Sequence, residues 1–198
     1  MKIESIRLKN FKAFRDVRLK DIPAFLVVVG ANGSGKTTLF EVFGFLHDCL
    51  NTTVRQALDK RGRFAEVLSR GCDPKTDSIL IELQYRMEIT GVERLVTYSL
   101  EIAERQGAPI VKKELLRYKR GRHGSPFHFL SFANGEGYAI TNEEDFKKSD
   151  EELERETQQV APDTLAIKGL GQFARFKAAN AFRHLMENWH VSDFHISA

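Results

Sequence analysis

The stretch Gly30-Ala31-Asn32-Gly33-Ser34-Gly35-Lys36-Thr37 constrains this chain more than any other. It satisfies G-x-x-x-x-G-K-[ST] at every fixed position, a coincidence expected in fewer than about one chain per hundred of this length. Its flanks fit the same reading. Phe25 to Val29 is a continuous apolar run rich in β-branched residues, which predicts a strand buried on both faces and ending at Gly30. Leu39, Val42, Phe43, Leu46 and Leu50 then recur at helical spacing, with Phe40 and Phe45 adding apolar surface on the other faces. A strand, a glycine-rich turn and a helix in that order form an anion cradle. Glycines at 30, 33 and 35 let backbone N–H groups approach phosphate oxygens without a side chain in the way, and the positive end of the helix dipole adds to the attraction. Lys36 is placed to reach the β- and γ-phosphates, and Thr37 to offer its hydroxyl to Mg²⁺. The predicted ligand is a magnesium-bound nucleoside triphosphate, held by residues 30–38, including Ala31, Asn32, Ser34 and Thr38. The competing reading is an ordinary glycine-rich turn before a helix.

The rest of the chain alternates between two periods. Residues 2–20 read as a pair of short strands, with Ile6, Leu8, Val17 and Leu19 alternating with Arg7, Lys9, Arg18 and Lys20. Residues 53–69 carry a weaker helical pattern interrupted by Gly62 and closed by Gly71. From residue 79 the period is two: Ile81, Leu83, Tyr85, Met87 and Ile89 alternate with Glu82, Gln84, Arg86 and Glu88, and Val96 to Ile102 repeat the pattern. Further strands are predicted at 109–118, 127–132 and 138–141, the last two joined by the turn ANGEG. Residues 143–156 are almost entirely charged and read as a solvated helix or flexible connector. Phe182, Leu185, Met186 and Trp189 then fall at helical spacing, and WHVSDFHI reads as a short strand.

A chain of 198 residues with 42% hydrophobic content can bury a core, and a net charge of +3 excludes both a disordered acidic chain and a histone-like basic one. Cys49 and Cys72 are far apart and outside any CxxC spacing, against a disulfide framework or zinc site and in favour of a reducing, cytoplasmic setting. The opening MKIESIRLKNFKAF has no apolar signal-peptide core, and no apolar run is long enough to span a bilayer, so no membrane partner is expected.

The opening IESIRLKNFKAFRDVRL followed by a hydrophobic strand and GANGSGKTT resembles the N-terminal half of the ABC-type ATPase heads of RecF, SMC and OLD-family proteins, and most closely the RecF-like AAA-type predicted ATPases. The resemblance is distinctive over residues 1–50 and follows the rest in outline. It implies an α/β P-loop NTPase fold, an ABC-head-like lobe with a mixed core sheet and an inserted antiparallel meander. The implied divisions are a P-loop core over 1–72, an antiparallel sheet over 77–141, a charged connector over 142–160, and a helix and strand over 161–198. It implies that Lys12 or Arg15 contacts the nucleotide, that two heads dimerise through ATP, and that the cycle acts on DNA in repair or phage defence. A basic solvated hairpin is the competing reading for Lys12 and Arg15.

Such a site also needs an apolar strand ending in Asp-Glu to hold Mg²⁺ and polarise water, and a serine-glycine signature loop. Neither is clear in the sequence. Glu82 ends SILIE, but in an alternating strand, so it is expected to face solvent. GLGQF (169–173) with Asp193 in WHVSDF is a compressed alternative that Ser192 and His190 spoil. The resemblance places both motifs beyond residue 198, making the chain the N-terminal part, or one half, of a larger ATPase that requires a C-terminal lobe or second subunit. His123 with His128, and His190 with His195, lack metal-ligand spacing and read as structural. The stretch 112–124 holds six Lys or Arg against one Glu, and reads as a solvated loop end or a phosphate-contacting DNA patch. Two alternatives stay open: a nucleic-acid or partner-binding module with a structural P-loop, and a small P-loop kinase.

Overall fold

A computed structural model of the chain describes residues 2–31, 33–89, 91–119, 126–141 and 152–188. Every described strand joins one antiparallel sheet; within the opening hairpin and within the meander that starts at Ile79, short connections bring each alternating segment back alongside the last. Strands β1 (Lys2–Phe11) and β2 (Phe14–Lys20) form the expected opening hairpin. Strands β3 (Ile79–Ile89), β4 (Val92–Arg105), β5 (Ala108–Tyr118), β6 (Phe127–Ala133) and β7 (Glu136–Ile140) form the expected meander. The turn between β6 and β7 has Asn134 and Gly135 both at positive φ, 53° and 89°, as the tight hairpin from ANGEG requires. The strand order is β2-β1-β3-β4-β5-β6-β7-β8, where β8 is Arg155–Gln159, so the hairpin and the meander share one sheet through the β1–β3 pairing.

Period-two alternation decides which face is covered. Ile6, Leu8, Ile81, Leu83, Tyr85, Tyr98, Leu100, Leu116 and Leu130 are buried on one face. Arg7, Glu82, Gln84, Arg117 and Lys113 share the other face by register. Helices α1 (Lys36–Asn51), α2 (Val54–Asp59), α3 (Arg63–Val67), α4 (Ala166–Leu170) and α5 (Lys177–Glu187) lie over the apolar face. Thr53 caps α2, its hydroxyl accepting from Gln56 N–H at 3.2 Å. On α5, Phe182 stacks on Tyr98 with ring centroids 4.1 Å apart and meets Tyr85 at 5.2 Å, so Phe182 and Met186 are core residues, as their spacing predicts.

Three expectations need correcting. The run Phe25–Val29 is not a buried strand: it joins no sheet, and Phe25 and Val29 are 82% and 84% exposed. A strand needs a neighbour for its N–H and C=O groups, and β1 is already paired on both sides, to β2 and β3. Consequently the sheet is not mixed; all its pairings are antiparallel among the described residues. The charged connector also carries structure at its end, where Arg155–Gln159 forms edge strand β8 beside β7. Its polar residues suit an edge with one solvated side. Trp189, the strand read in WHVSDFHI and the Asp193 alternative lie outside the described residues, as do His123, His190, His195 and residues 143–151 of the charged stretch 143–156.

Candidate nucleotide site

Helix α1 starts at Lys36, directly after the glycine-rich turn, and its first intrahelical bond runs from Leu39 N–H to Gly35 C=O at 3.0 Å. The amides of Lys36, Thr37 and Thr38 precede that bond, so they belong to the first-turn donors that a helix leaves for an anion. The turn itself is closed by Ser34 N–H donating to Ala31 C=O at 3.2 Å. Gly33 and Gly35 have φ of 82° and 92°, a region costly for any residue with a Cβ. At Gly35 there is a second reason. A Cβ there would come within 2.9 Å of the Phe14 ring, so the β1–β2 hairpin leans directly on the helix entry.

The Lys36 ammonium folds back over the loop, donating to Gly30 C=O and to Ala31 C=O, the latter at 2.7 Å. The only cation carried by the loop is thereby held over its mouth. Thr37 is exposed at the start of α1, where its hydroxyl is available to a metal–nucleotide complex, whereas Thr38 is buried beneath it. Ala31, Gly33 and Ser34 are exposed, and Asn32 lies outside the described residues.

Lys12 and Arg15 are brought to the same side of the molecule but are engaged by protein groups. Lys12 sits at φ 48° with its N–H on Val67 C=O at 2.7 Å. Its ammonium meets Glu41 Oε1 at 2.6 Å, one helical turn beyond Thr37. Glu41 was not legible as a site neighbour, although its i+4 spacing from Thr37 put it on the same helix face. Arg15 donates to Cys72 Sγ at 3.0 Å. Neither contact brings either residue to the glycine loop.

The remaining sequence candidates fall elsewhere. Glu82 is on the uncovered sheet face, 3.7 Å from Arg117. His128 is on β6, opposite Arg117 in register; burial lowers its pKa, and the charges of Arg117 and Lys113 lower it further. In the basic stretch, Lys112 to Lys119 lie on or just beyond β5, and residues 120–124 are outside the described residues. GLGQF spans the end of α4 and the turn after it. No group of three or more metal-ligating side chains occurs among the described residues. Likewise, no described helix is long and apolar enough to cross a membrane.

Beside the loop the surface is apolar. A hollow of about 460 Å³ is bounded by Leu8, Phe14, Val27, Val29, Gly35 and Lys36. A second, of about 340 Å³, lies against Ile6, Ile22, Leu26, Val28, Phe43 and Leu185. The first hollow shares Gly30, Ser34, Gly35 and Lys36 with the glycine loop and is otherwise apolar, whereas the second borders no residue of the loop and offers a polyanion no donors from it. They mark where the exposed run 25–29 stands off from the sheet.

A family model described as the AAA ATPase domain matches residues 1–165. No curated protein matches the sequence. A solved structure from work on ATP-driven dimerization and DNA-stimulated activation of SMC ATPases aligns with 63% of this chain and 73% of that chain, at 19% identity and a TM-score of 0.41.

Proposed function

We propose, from the premise that this chain belongs to the AAA ATPase domain family, that residues 30–38 bind the triphosphate of Mg·ATP in a P-loop NTPase fold. The observation that carries this reading is the helix entry: a G-x-x-x-x-G-K-T loop with two glycines at positive φ opens directly into the first turn of α1. The amides of Lys36, Thr37 and Thr38 take phosphate oxygens. Lys36 exchanges its carbonyl partners for the β- and γ-phosphates, and the Thr37 hydroxyl joins the magnesium shell. When bound, magnesium would neutralise charge between the two outer phosphates. Lys12 enters the nucleotide's surroundings by leaving Glu41, and Arg15 by leaving Cys72.

A partner lobe or second subunit completes the site in this proposal. The support is the exposed run Phe25–Val29, whose apolar side chains and adjoining hollows are surface a monomer seldom leaves open. An apolar strand ending in Asp-Glu does not accompany the P-loop in the sequence, so the chain alone is expected to bind ATP and turn it over slowly. Work on DNA in repair or phage defence extends the same reading, with the basic stretch 112–124 as the candidate contact.

Equilibrium binding of Mg·ATP to the parent chain and to Lys36→Ala tests the core of this. The variant should lose most of its affinity; equal affinity in the two proteins defeats the assignment. Binding to DNA that ignores both ATP and this substitution would instead favour a module with a structural P-loop.

A further inference from the structure

Glu114 is the one acid in the basic stretch 112–124 and, among the described residues, the only Asp, Glu, Lys or Arg that is buried. It is 0% exposed, on the core side of β5. Its Oε2 accepts from Ala166 N–H at 2.6 Å, and its Oε1 from the Tyr98 hydroxyl at 2.9 Å and from Ile167 N–H at 3.3 Å. Those two amides begin α4. Two residues on, the Lys168 ammonium donates to Thr52 C=O at 2.6 Å and to Asn51 C=O at 3.4 Å, where α1 ends. Backbone bonds clasp the approach to α4: Val54 N–H to Asp163 C=O at 2.8 Å and Val111 N–H to Pro162 C=O at 2.7 Å.

We propose that Glu114 is a proton-operated clamp, fastening the start of α4 to the sheet and, through Lys168, fixing the far end of the helix that follows the P-loop. Every partner of the carboxyl is neutral. The groups facing it from neighbouring elements are the Tyr98 hydroxyl on β4 and the Cys49 thiol on α1, both held protonated by burial, with Tyr85 on β3 beyond Tyr98. The nearby charges are already engaged: Arg61 and Lys60 with Asp48, Arg55 with Asp163, and Lys168 with the carbonyls at the end of α1. Lys113 is on the opposite face of β5 by alternation, and Phe132 stands opposite Glu114 on β6. α5 contributes the Phe182 ring, stacked on Tyr98.

A buried carboxylate without a cation is costly, so the neutral acid is favoured. Burial pushes Glu114 up to about 7, although the Ala166 amide, the Tyr98 hydroxyl and the Ile167 amide each pull it down. The neutral acid also fits the site. Its O–H can donate to the Tyr98 oxygen, reversing that bond, while Oε2 keeps the Ala166 amide. The folded chain therefore holds this proton where an unfolded chain has released it. The stabilisation is complete below the ordinary glutamate value of 4.5 and disappears as pH rises through about 7. Above that, the charge weakens the hold on α4 and on the end of α1.

Urea unfolding of parent and Glu114→Gln chains between about pH 5 and pH 8 tests the clamp. The parent should lose stability relative to the variant as pH rises through neutrality, since the amide has no proton to lose; parallel profiles overturn the proposal. Infrared absorption of a protonated buried carboxyl in the parent provides a measurement independent of the variant's folding. A band that titrates near neutrality supports the clamp, and one that titrates in the ordinary carboxylate range, or no band, refutes it. Tyr98→Phe, which removes a hydrogen bond to the charged form, should move that titration upward. Amide protection at the end of α1 should follow the same pH course in the parent only; an identical course in Glu114→Gln removes the link through Lys168.

Discussion

Replacing Gly35 with alanine tests how the hairpin and the P-loop depend on each other. The residue sits at φ 92° and ψ 4°, where an L-residue pays about 1–2 kcal/mol in backbone strain. The added methyl would also stand 2.9 Å and 3.0 Å from two carbons of the Phe14 ring, closer than carbon atoms pack. Overfilling a packed contact of this kind costs about 1–3 kcal/mol more. The sum, about 2–5 kcal/mol, acts on the loop conformation that presents its amides. Mg·ATP affinity should therefore fall roughly 30- to 4,000-fold, measured by calorimetry or a fluorescent nucleotide. Phe14→Ala removes the obstacle but not the strain. In that background Gly35→Ala should cost only about 1–2 kcal/mol, or roughly 5- to 30-fold, so the two changes couple in a double-mutant cycle. Additive losses would refute the claim that Phe14 limits residue 35, and unchanged affinity in the single variant would refute the whole argument.

Phe182→Ala removes the ring that packs α5 against Tyr98 and Tyr85, and should cost about 3–5 kcal/mol in urea unfolding, with the lost protection concentrated in α5 and the centre of the sheet. Asp48 joins α1 to the turn after α2. Burial alone would raise its pKa, but hydrogen bonds from Lys60 and Arg61 outweigh that and hold it below the ordinary value. Asp48→Asn should therefore cost about 1–2 kcal/mol at neutral pH. That cost should fade as pH drops below 3.8 through the depressed folded-state value, because the parent is then losing the same interaction; a pH-independent difference contradicts it.

Much of the molecule could be read from local pattern. Strands β1 to β7 follow from alternation, α1 and α5 from 3.6-residue spacing, and the β6–β7 turn from Asn134-Gly135, because in each case the residues that fix the conformation are neighbours in sequence. The reading failed at Phe25–Val29, where composition was right for a strand but β1 is already paired on both sides, to β2 and β3, and the run joins no strand of the sheet. It also passed over Glu114. The signal was present, since Glu114, Leu116 and Tyr118 share a parity that puts them all on the core side of β5, but the surrounding basic residues made the stretch look uniformly solvated.

By itself, then, the sequence determined the glycine-rich loop, the helix it opens into and the period of nearly every strand, because glycine φ preferences and side-chain periodicity act over a few residues. Tertiary structure alone decided that β1 is paired on both sides, that Lys12 lies on Glu41 and Phe14 on Gly35, and that Glu114 is sealed beneath α4. Those outcomes depend on strand register and helix docking between segments as far apart as Lys2 and Arg86 on β1 and β3, or Glu114 and Ala166, and a contact at that range leaves no periodic mark on either partner.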